Sequence, residues 1–374
     1  MTQPEDLLKG KANRRSFLKN GIITVGAVTA STGLLTGGMS ALGQEGTGGG
    51  NDLSKGDAAI LQLLLAAEII ETDLWQQYKE LGGVEATNSV SQPYINALQQ
   101  LDGDMPQYIS DNTDDEISHV AFLTAYLKSK GQKPVDLGKF ATLAPSTVPG
   151  VPQTGRLTNL KQLSVDTTWW TRYRSKENPD FGATFPQAVP SLAHDPVTGA
   201  VAQHPAIPIS QNDLNDPNHI QAIANTAGFH FAFIEQAGTS LYATLSQRVS
   251  SPEVLRITIS IGGSEIMHFQ VWHDKAGNAV ALTDNQPGGT LTFVNLAVGQ
   301  PESLQANLIM PEPTDFIKGL PECAIIRPTG PGQLDATGAI NGFIADGLFI
   351  GQPKEFIQLL LQLAEEADGA KREL

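Results

Sequence analysis

The chain has 374 residues and a formal net charge of −15, and no basic stripe offsets its acidity. This balance excludes nucleic acid and an anionic membrane surface as partners. The single cysteine, Cys323, allows no disulfide within the chain, so any metal would be held by carboxylate oxygen and imidazole nitrogen, which suit iron, manganese or zinc.

The first residues have the form of a twin-arginine export signal. Arg14 and Arg15 precede a long uncharged stretch rich in Gly and Thr, and small residues around Gly43 fit a cleavage site. The many glycines and threonines favour a cleaved signal over a retained transmembrane anchor. We expect residues 1–43 to be a signal peptide, with the twin-arginine export machinery as a partner, and residues 44–56 to be a linker. The mature protein would then be periplasmic or extracellular.

A first helical pattern runs from Asp57 to Leu81. Glu68 falls on its apolar stripe, where a lone carboxylate is costly unless it is paired or binds a metal. Glu68 is therefore a candidate ligand, and Glu71, one turn further on, is its alternative. Trp75 lies on the same stripe and either closes a cavity against water or belongs to the core, as does Trp272 later in the chain.

A second helix is predicted from Met105 to Lys130. Glu116 and His119 occupy successive positions of its apolar stripe, which favours an inward-facing pair over a surface pair beside the solvent-like Asp114 and Asp115.

Residues 131–217 lose the helical period and are rich in Pro, Gly, Thr and Asn. Since so long a structureless connection is unusual in a compact domain, we expect an ordered excursion. Four aromatic residues are expected to anchor it: Trp169, Trp170, Tyr173 and Phe185. Three histidines in this region receive no chemical role: His194, His204 and His219.

A third helix is predicted from Asn218 to Arg248. Glu235 lies at its centre in apolar surroundings and is either a metal ligand or a buried glutamate paired with an arginine. The five-residue offset of His230 from Glu235 makes His230 a poor co-ligand.

A fourth helix is predicted to begin at Ser251-Pro252 and to continue to about Trp272. Its stripe carries Glu265 and His268, whereas His273 is off the stripe. The remaining residues, including an apolar piece from Thr290 to Leu296, show no catalytic pattern. They end in an amphipathic helix from Pro353 to Ala367, which would pack on the preceding helices or form a subunit contact in a homo-oligomer.

The order of these residues along the chain is Glu, Glu-x-x-His, Glu, Glu-x-x-His. This is the ligand set with which a four-helix bundle holds two metal ions in its core. Four carboxylates and two neutral imidazoles carry a charge of −4, which two divalent cations neutralise, and open positions remain for dioxygen or peroxide. The candidate metal ligands are Glu68, Glu116, His119, Glu235, Glu265 and His268.

The sequence resembles the ferritin-like superfamily, in particular its exported branch related to desiccation-associated proteins. The resemblance spans about Asp57 to Lys275 and is carried by Ala67-Glu68-Ile69-Ile70-Glu71, Asp115-Glu116-Ile117-Ser118-His119-Val120, Glu235 and Glu265-Ile266-Met267-His268. It implies an all-α fold, with a four-helix bundle over residues 57–275, a crossover insertion at 131–217 and a C-terminal extension at 276–374. The long crossover and the extension argue against a hollow storage shell.

The resemblance also implies roles for the ligands. Glu68 and Glu235 would be terminal carboxylates, Glu116 and Glu265 bridging carboxylates, and His119 and His268 terminal imidazoles. We expect two Fe ions, with Mn as the alternative, since the spacing is closer to iron oxidases and ferritins than to manganese catalases. The expected function is an oxidoreductase acting on ferrous iron and dioxygen, or on peroxide, in oxidative-stress protection. The alternative is a non-catalytic stress or desiccation-related protein whose metal site is structural or empty.

Overall fold

The computed structural model describes residues 53–86, 90–177, 185–194, 199–285, 290–326 and 335–373. The predicted signal peptide and most of the predicted linker lie outside these residues. In chain order the α-helices are α1 (Lys55–Gly82), α2 (Gln92–Leu98), α3 (Met105–Ser129), α4 (Trp169–Arg172), α5 (Pro190–Ala193), α6 (Pro217–Ser246), α7 (Pro252–Ala276), α8 (Ala336–Ala345) and α9 (Lys354–Asp368). The strands are β1 (Leu282–Asp284), β2 (Leu291–Phe293), β3 (Pro313–Thr314) and β4 (Cys323–Ala324).

Local sequence sets where the long helices begin. The Ser54 hydroxyl accepts a hydrogen bond from the Asp57 backbone N–H at the start of α1. Asp216 and Ser251 cap α6 and α7 in the same way, and each is followed by a proline. A capping side chain satisfies backbone donors that the first turn leaves free, and proline at the first helical position needs no such partner.

The four long helices α1, α3, α6 and α7 form a bundle. The most extensive contacts join α1 to α3, and α6 to α7 across the short connection of residues 247–251. At its centre Trp75 stacks on Trp272 with ring centroids 5.2 Å apart, and both rings also contact Phe231. Both tryptophans are fully buried and belong to the core. The ends of all four helices lie within a few residues of those that periodicity predicts.

The insertion between α3 and α6 is ordered in its described residues and packs on the bundle. Trp169, Trp170 and Tyr173 are buried as expected, whereas Phe185 is only partly so. Both tryptophan rings lie against Phe229 of α6. The Thr158 hydroxyl donates to the carboxylate of Asp73 on α1 at 2.6 Å, so polar contacts as well as aromatic burial hold the crossover in place.

The residues after α7 add two small hairpins and two helices. Strands β1 and β2 pair antiparallel, with Leu282 opposite Phe293, and β3 pairs antiparallel with β4. Helix α8 is missing from the sequence prediction because its Gly- and Ala-rich composition shows no clear stripe. Helix α9 packs along α1, so the C-terminal amphipathic helix packs on a preceding helix, which is the first of the two predicted alternatives. Among the described residues, no helix is both long enough and apolar enough to cross a membrane.

Candidate metal centre

All six candidate ligands point into one cavity at the centre of the bundle. Helix α1 provides Glu68, α3 provides Glu116 and His119, α6 provides Glu235, and α7 provides Glu265 and His268. A three-residue spacing on a helix places the glutamate and the histidine of each pair on the same face. The four carboxylates are fully buried, whereas the imidazole side chains remain about a tenth exposed, at 12% for His119 and 11% for His268.

The six side chains form two overlapping groups. Within each group, one ligand atom per residue lies within 4.8 Å of every other. The first group is Glu68, Glu116, His119 and Glu265, and the second is Glu116, Glu235, Glu265 and His268. Glu116 and Glu265 belong to both groups, so two ions placed side by side would share these two carboxylates.

Each imidazole turns its Nδ1 atom toward the carboxylates. Nδ1 of His119 lies 3.2 Å from Glu68 and 3.1 Å from Glu116. Nδ1 of His268 lies 3.2 Å from both Glu116 and Glu235. Nδ1 is therefore the atom of each ring that is placed to bind a metal.

The remaining ring atoms meet partners that the sequence prediction missed. Nε2 of His268 lies 3.2 Å from the Asp115 carboxylate, although Asp115 is expected to be solvent-like. Nε2 of His119 lies 3.2 Å from the Ser264 hydroxyl. Such partners fix the orientation and tautomer of a ligating imidazole. The one signal in the sequence is that Asp115 and Ser264 each stand immediately before a candidate ligand glutamate.

Two other polar side chains hold the carboxylates. The Asn112 amide donates to Glu116 and to Glu235, at 2.9 Å in each case, while its carbonyl oxygen accepts from the Trp272 indole at 2.7 Å. The Tyr242 hydroxyl donates to Glu68. Burial raises the pKa of Tyr242 well above its usual value, and nearby carboxylates raise it further, so the hydroxyl keeps its proton.

Glu71 also reaches this cavity. It is 5% exposed, but it belongs to neither group of ligand atoms, so of the two alternatives on α1 only Glu68 joins a group. Burial raises the pKa of Glu71 and of Glu265 well above the usual range, and neighbouring carboxylates, with Glu116 first among them, raise both further. Without a cation, the cavity therefore disfavours full ionisation of its carboxylates.

The histidines partly offset this charge. Burial alone lowers the pKa of His119, but its hydrogen bonds with Glu116 and Glu68 outweigh burial and raise that pKa to about 10. Burial also lowers the pKa of His268, but the nearby carboxylates, with Glu235 first among them, outweigh burial and raise that pKa. Burial raises the pKa of Glu116 to about 7 although both histidines oppose the shift.

The centre has carboxylate oxygens that are free to accept a cation. Among the described residues, neither carboxylate oxygen of Glu265 has a hydrogen-bond partner, although Nδ1 of His119 lies 3.6 Å from Oε1. A Cβ atom at Gly238 on α6 would lie 2.6 Å from Oε2 of Glu265 and 3.5 Å from Oε1 of Glu71. The missing side chain at Gly238 thus makes space for the shared carboxylate. A buried acceptor pair without donors, beside further carboxylates and imidazoles, fits a metal ion.

The other histidines of the chain lie outside this cavity. His230 is buried and contacts the Tyr78 hydroxyl through Nδ1 at 2.7 Å, and burial lowers its pKa to about 3. His273 is buried among aromatic rings, with Nδ1 3.0 Å from the Tyr173 hydroxyl. His219 is in the first turn of α6 rather than in the insertion and pairs with Asp284. His194 is exposed and His204 contacts the Ser191 carbonyl, so none of these five histidines joins the two candidate ligand groups.

Comparison with known proteins gives one family. No curated protein and no solved structure matches the chain. The family model described as "Ferritin-like domain" matches residues 56–278, which is more than half of the chain. The matched range contains all of the bundle except Lys55, together with all six candidate ligands. The chain therefore belongs to the ferritin-like domain family.

Proposed function

We propose that the protein binds two Fe or two Mn ions at this centre and acts on ferrous iron and dioxygen, or on peroxide, in protection against oxidative stress. The observation that carries the proposal is the pair of overlapping ligand groups, which share Glu116 and Glu265. Each group supplies three carboxylates and one imidazole, a hard oxygen-rich set that suits iron and manganese.

The two ions would have equivalent kinds of ligand. Glu68 and His119 would hold one ion, and Glu235 and His268 would hold the other. The shared Glu116 and Glu265 would bridge them. When bound, such an ion pair supplies the electrons that reduce dioxygen or peroxide.

The residues around the ligands orient them and keep out water. Asn112 donates to one terminal and one bridging carboxylate, and Tyr242 donates to the other terminal carboxylate. Full burial of all four carboxylates strengthens their attraction for cations. Because a metal needs neutral imidazoles, metal uptake displaces the protons that His119 and His268 carry in the metal-free protein.

One observation favours the alternative, a non-catalytic protein with a structural or empty site. Each protonated histidine lies within 3.2 Å of two carboxylates, which compensates part of the buried negative charge without any metal. Metal affinity and turnover therefore need separate tests.

The first test measures metal content and reactivity together. Purified protein is loaded anaerobically with Fe(II) or Mn(II), its metal content is measured, and peroxide or dioxygen is then added. We expect two ions per chain and consumption of the added oxidant. A variant carrying both His119→Gln and His268→Gln should lose the metal, whereas His194→Gln, which changes an exposed histidine, should retain it.

Each failure of this test has a distinct meaning. Wild-type protein that binds no Fe or Mn would refute the proposed centre. Two bound ions without any reaction would refute the proposed activity and favour the non-catalytic alternative.

We also propose export through the twin-arginine route, on the basis of Arg14 and Arg15 before an uncharged stretch. Replacing both arginines by lysine should leave the precursor inside the cell. Unchanged amounts of exported protein in that variant would show that the arginines are not an export signal.

A further inference from the structure

A cleft of about 510 Å³ opens between α3 and α7, beside the candidate metal centre. Its volume is within the range of small-molecule sites. The residues that line it include His119, Phe122, Tyr126, Arg256, Ile261 and Ser264. His119 and its partner Ser264 form the inner end, so the cleft leads from the surface to a proposed metal ligand.

This cleft lies at one of the two places where an imidazole of the centre reaches solvent. The four carboxylates of the centre are fully buried, whereas the two imidazoles remain about a tenth exposed. His119 borders the cleft and His268 is not among the residues that line it. A molecule that enters through this cleft would therefore meet the centre beside His119.

The walls of the cleft are largely apolar. Ile257 and Ile261 of α7 line one side. Phe122 lines the other side and stacks on Tyr126 with ring centroids 6.2 Å apart. Phe122 is 50% exposed, which leaves a large aromatic surface free to contact an apolar ligand.

The outer end of the cleft carries a positive charge. Glu253 accepts from the Tyr126 hydroxyl at 2.9 Å and pairs with Lys130 at 2.8 Å. Within the described part of the chain Arg256 makes no hydrogen bond and no ion pair, although its charge also acts on the nearby Glu253 carboxylate, which Lys130 already neutralises. Its guanidinium is thus available to a carboxylate, which Arg binds in a bidentate geometry.

The distance between the two ends sets the size of the ligand. Arg256 and Ser264 are separated by eight residues of α7, or about 12 Å along the helix axis. An unbranched carboxylic acid of medium chain length spans such a distance.

We propose that this cleft binds an elongated apolar carboxylate, with its anionic end at Arg256 and its apolar end over His119. This proposal deepens the proposed function, because it names the class of organic molecule that the centre meets. It rests on the proposed function only for the metals that would lie beyond His119.

Calorimetric titration of the full chain with decanoate tests the binding directly. Decanoate should bind more tightly than butyrate, which is too short, and than decanol, which lacks the charge. Ser260 lines the cleft and is exposed, so Ser260→Trp should fill the cleft without disturbing the core and abolish decanoate binding. Arg256→Gln should weaken decanoate binding about fivefold, the size of an exposed charge pair, and leave decanol unaffected.

A matched control separates the site from general charge. Lys128 is exposed on α3 and does not line the cleft, so Lys128→Gln should bind decanoate as the wild type does. Decanoate affinity that is unchanged in both Ser260→Trp and Arg256→Gln would overturn the proposal. A wild-type dimer that Ser260→Trp converts to monomers would also overturn it, since a second copy of the chain would then occupy this face.

The metal content of Ser260→Trp keeps the two proposals distinguishable. Lost decanoate binding with unchanged metal confirms the cleft as a separate binding site. Decanoate binding by a wild-type protein that takes up no metal would support the cleft and refute only the metal centre.

Discussion

The two Glu-x-x-His pairs have the same spacing and face one cavity, yet their histidines have different surroundings. Nε2 of His268 meets the Asp115 carboxylate, whereas Nε2 of His119 meets the Ser264 hydroxyl, each at 3.2 Å. A carboxylate partner raises the basicity of an imidazole more than a hydroxyl does. His119 also borders the cleft. The two proposed metal positions would therefore be unequal, since the one at His268 would be held more firmly and the one at His119 would be nearer to an incoming ligand.

The largest effect is expected from a substitution at Glu265, because both proposed metal positions would share this carboxylate. Glu265→Gln should reduce bound metal from two ions per chain to at most one. It should also remove about 3 kcal/mol of metal-induced stabilisation, the gain expected at about 100 times the dissociation constant. The metal-free variant should melt no lower than metal-free wild type, since it has lost one of several mutually repelling carboxylates. Metal analysis and calorimetric melting measure the two effects.

Glu365→Gln is the control for this substitution, because Glu365 is exposed on α9, away from the centre. It should leave metal content and melting temperature unchanged. Equal metal content in Glu265→Gln and wild type would show that Glu265 does not bridge two ions.

The second-largest effect is expected when the Glu265 carboxylate is displaced by a neighbouring side chain rather than replaced. In Gly238→Ala the new methyl group would lie 2.6 Å from Oε2 of Glu265 and should displace that side chain. We expect metal affinity to fall about thirtyfold, within the range seen when the support of a ligand is lost. Gly263→Ala is the matched control, since a Cβ there meets nothing within 4 Å among the described residues.

The control variant Gly263→Ala is expected to be more stable than the wild type. Alanine at Gly263 should raise the free energy of unfolding by about 1 kcal/mol through helix propensity and leave metal binding intact. If Gly238→Ala binds metal as tightly as Gly263→Ala does, the space beside Glu265 has no role in metal binding.

The third effect tests whether the different Nε2 partners of His119 and His268 make the two proposed metal positions unequal in affinity. Asp115→Asn should weaken the metal position at His268 about tenfold. Ser264→Ala should weaken the position at His119 only about threefold, the value of one neutral hydrogen bond. Competition with a chelator, followed for the first and the second ion separately, measures both losses. Equal losses would mean that the two positions are equivalent.

The smallest effect concerns a histidine–carboxylate contact outside the centre. The contact of His219 with Asp213 and its hydrogen bond with Asp284 raise its pKa to about 9, against the effect of burial. A raised pKa means that protonated His219 stabilises the fold. This contribution is complete below the unfolded pKa of about 6.5 and is lost as the pH rises through about 9. His219→Gln should remove that part of the pH dependence, about 1 kcal/mol or less after solvent screening.

Urea unfolding of His219→Gln and wild type at both ends of this range provides the measurement. The difference in unfolding free energy between the two proteins should be larger at pH 6.5 than at pH 9. A difference that is constant with pH would show that the ion pair does not form.

The helices and the convergence of the six candidate ligands could be predicted from the sequence because both leave a local signal. Glu68 and Glu235 are isolated charges within apolar stripes, and each Glu-x-x-His pair occupies successive stripe positions. Burial of an unpaired carboxylate is costly enough for its position alone to suggest a ligand. The structure places all these carboxylates in one cavity.

The surroundings of the ligands could not be predicted because they depend on how helices meet. Asp115 reads as a surface residue, and its contact with His268 joins residues 153 positions apart. Glu71 reads as an alternative to Glu68, yet both are buried, since the absence of a side chain at Gly238 leaves space between α1 and α6. Helix α8 and the order within the insertion depend on tertiary contacts that no periodic pattern reveals.

The packing of α9 against α1 has a consequence for how the chain folds. These helices are the first and the last described elements in chain order, so their contact closes the longest loop between any two described elements. Closing a loop costs entropy that grows with its length, and distant contacts slow folding. During synthesis α1 lacks its contact with α9 until residues 354–368 have been made. The bundle can therefore form its centre early, but it reaches its final packing only at the end of translation of these residues.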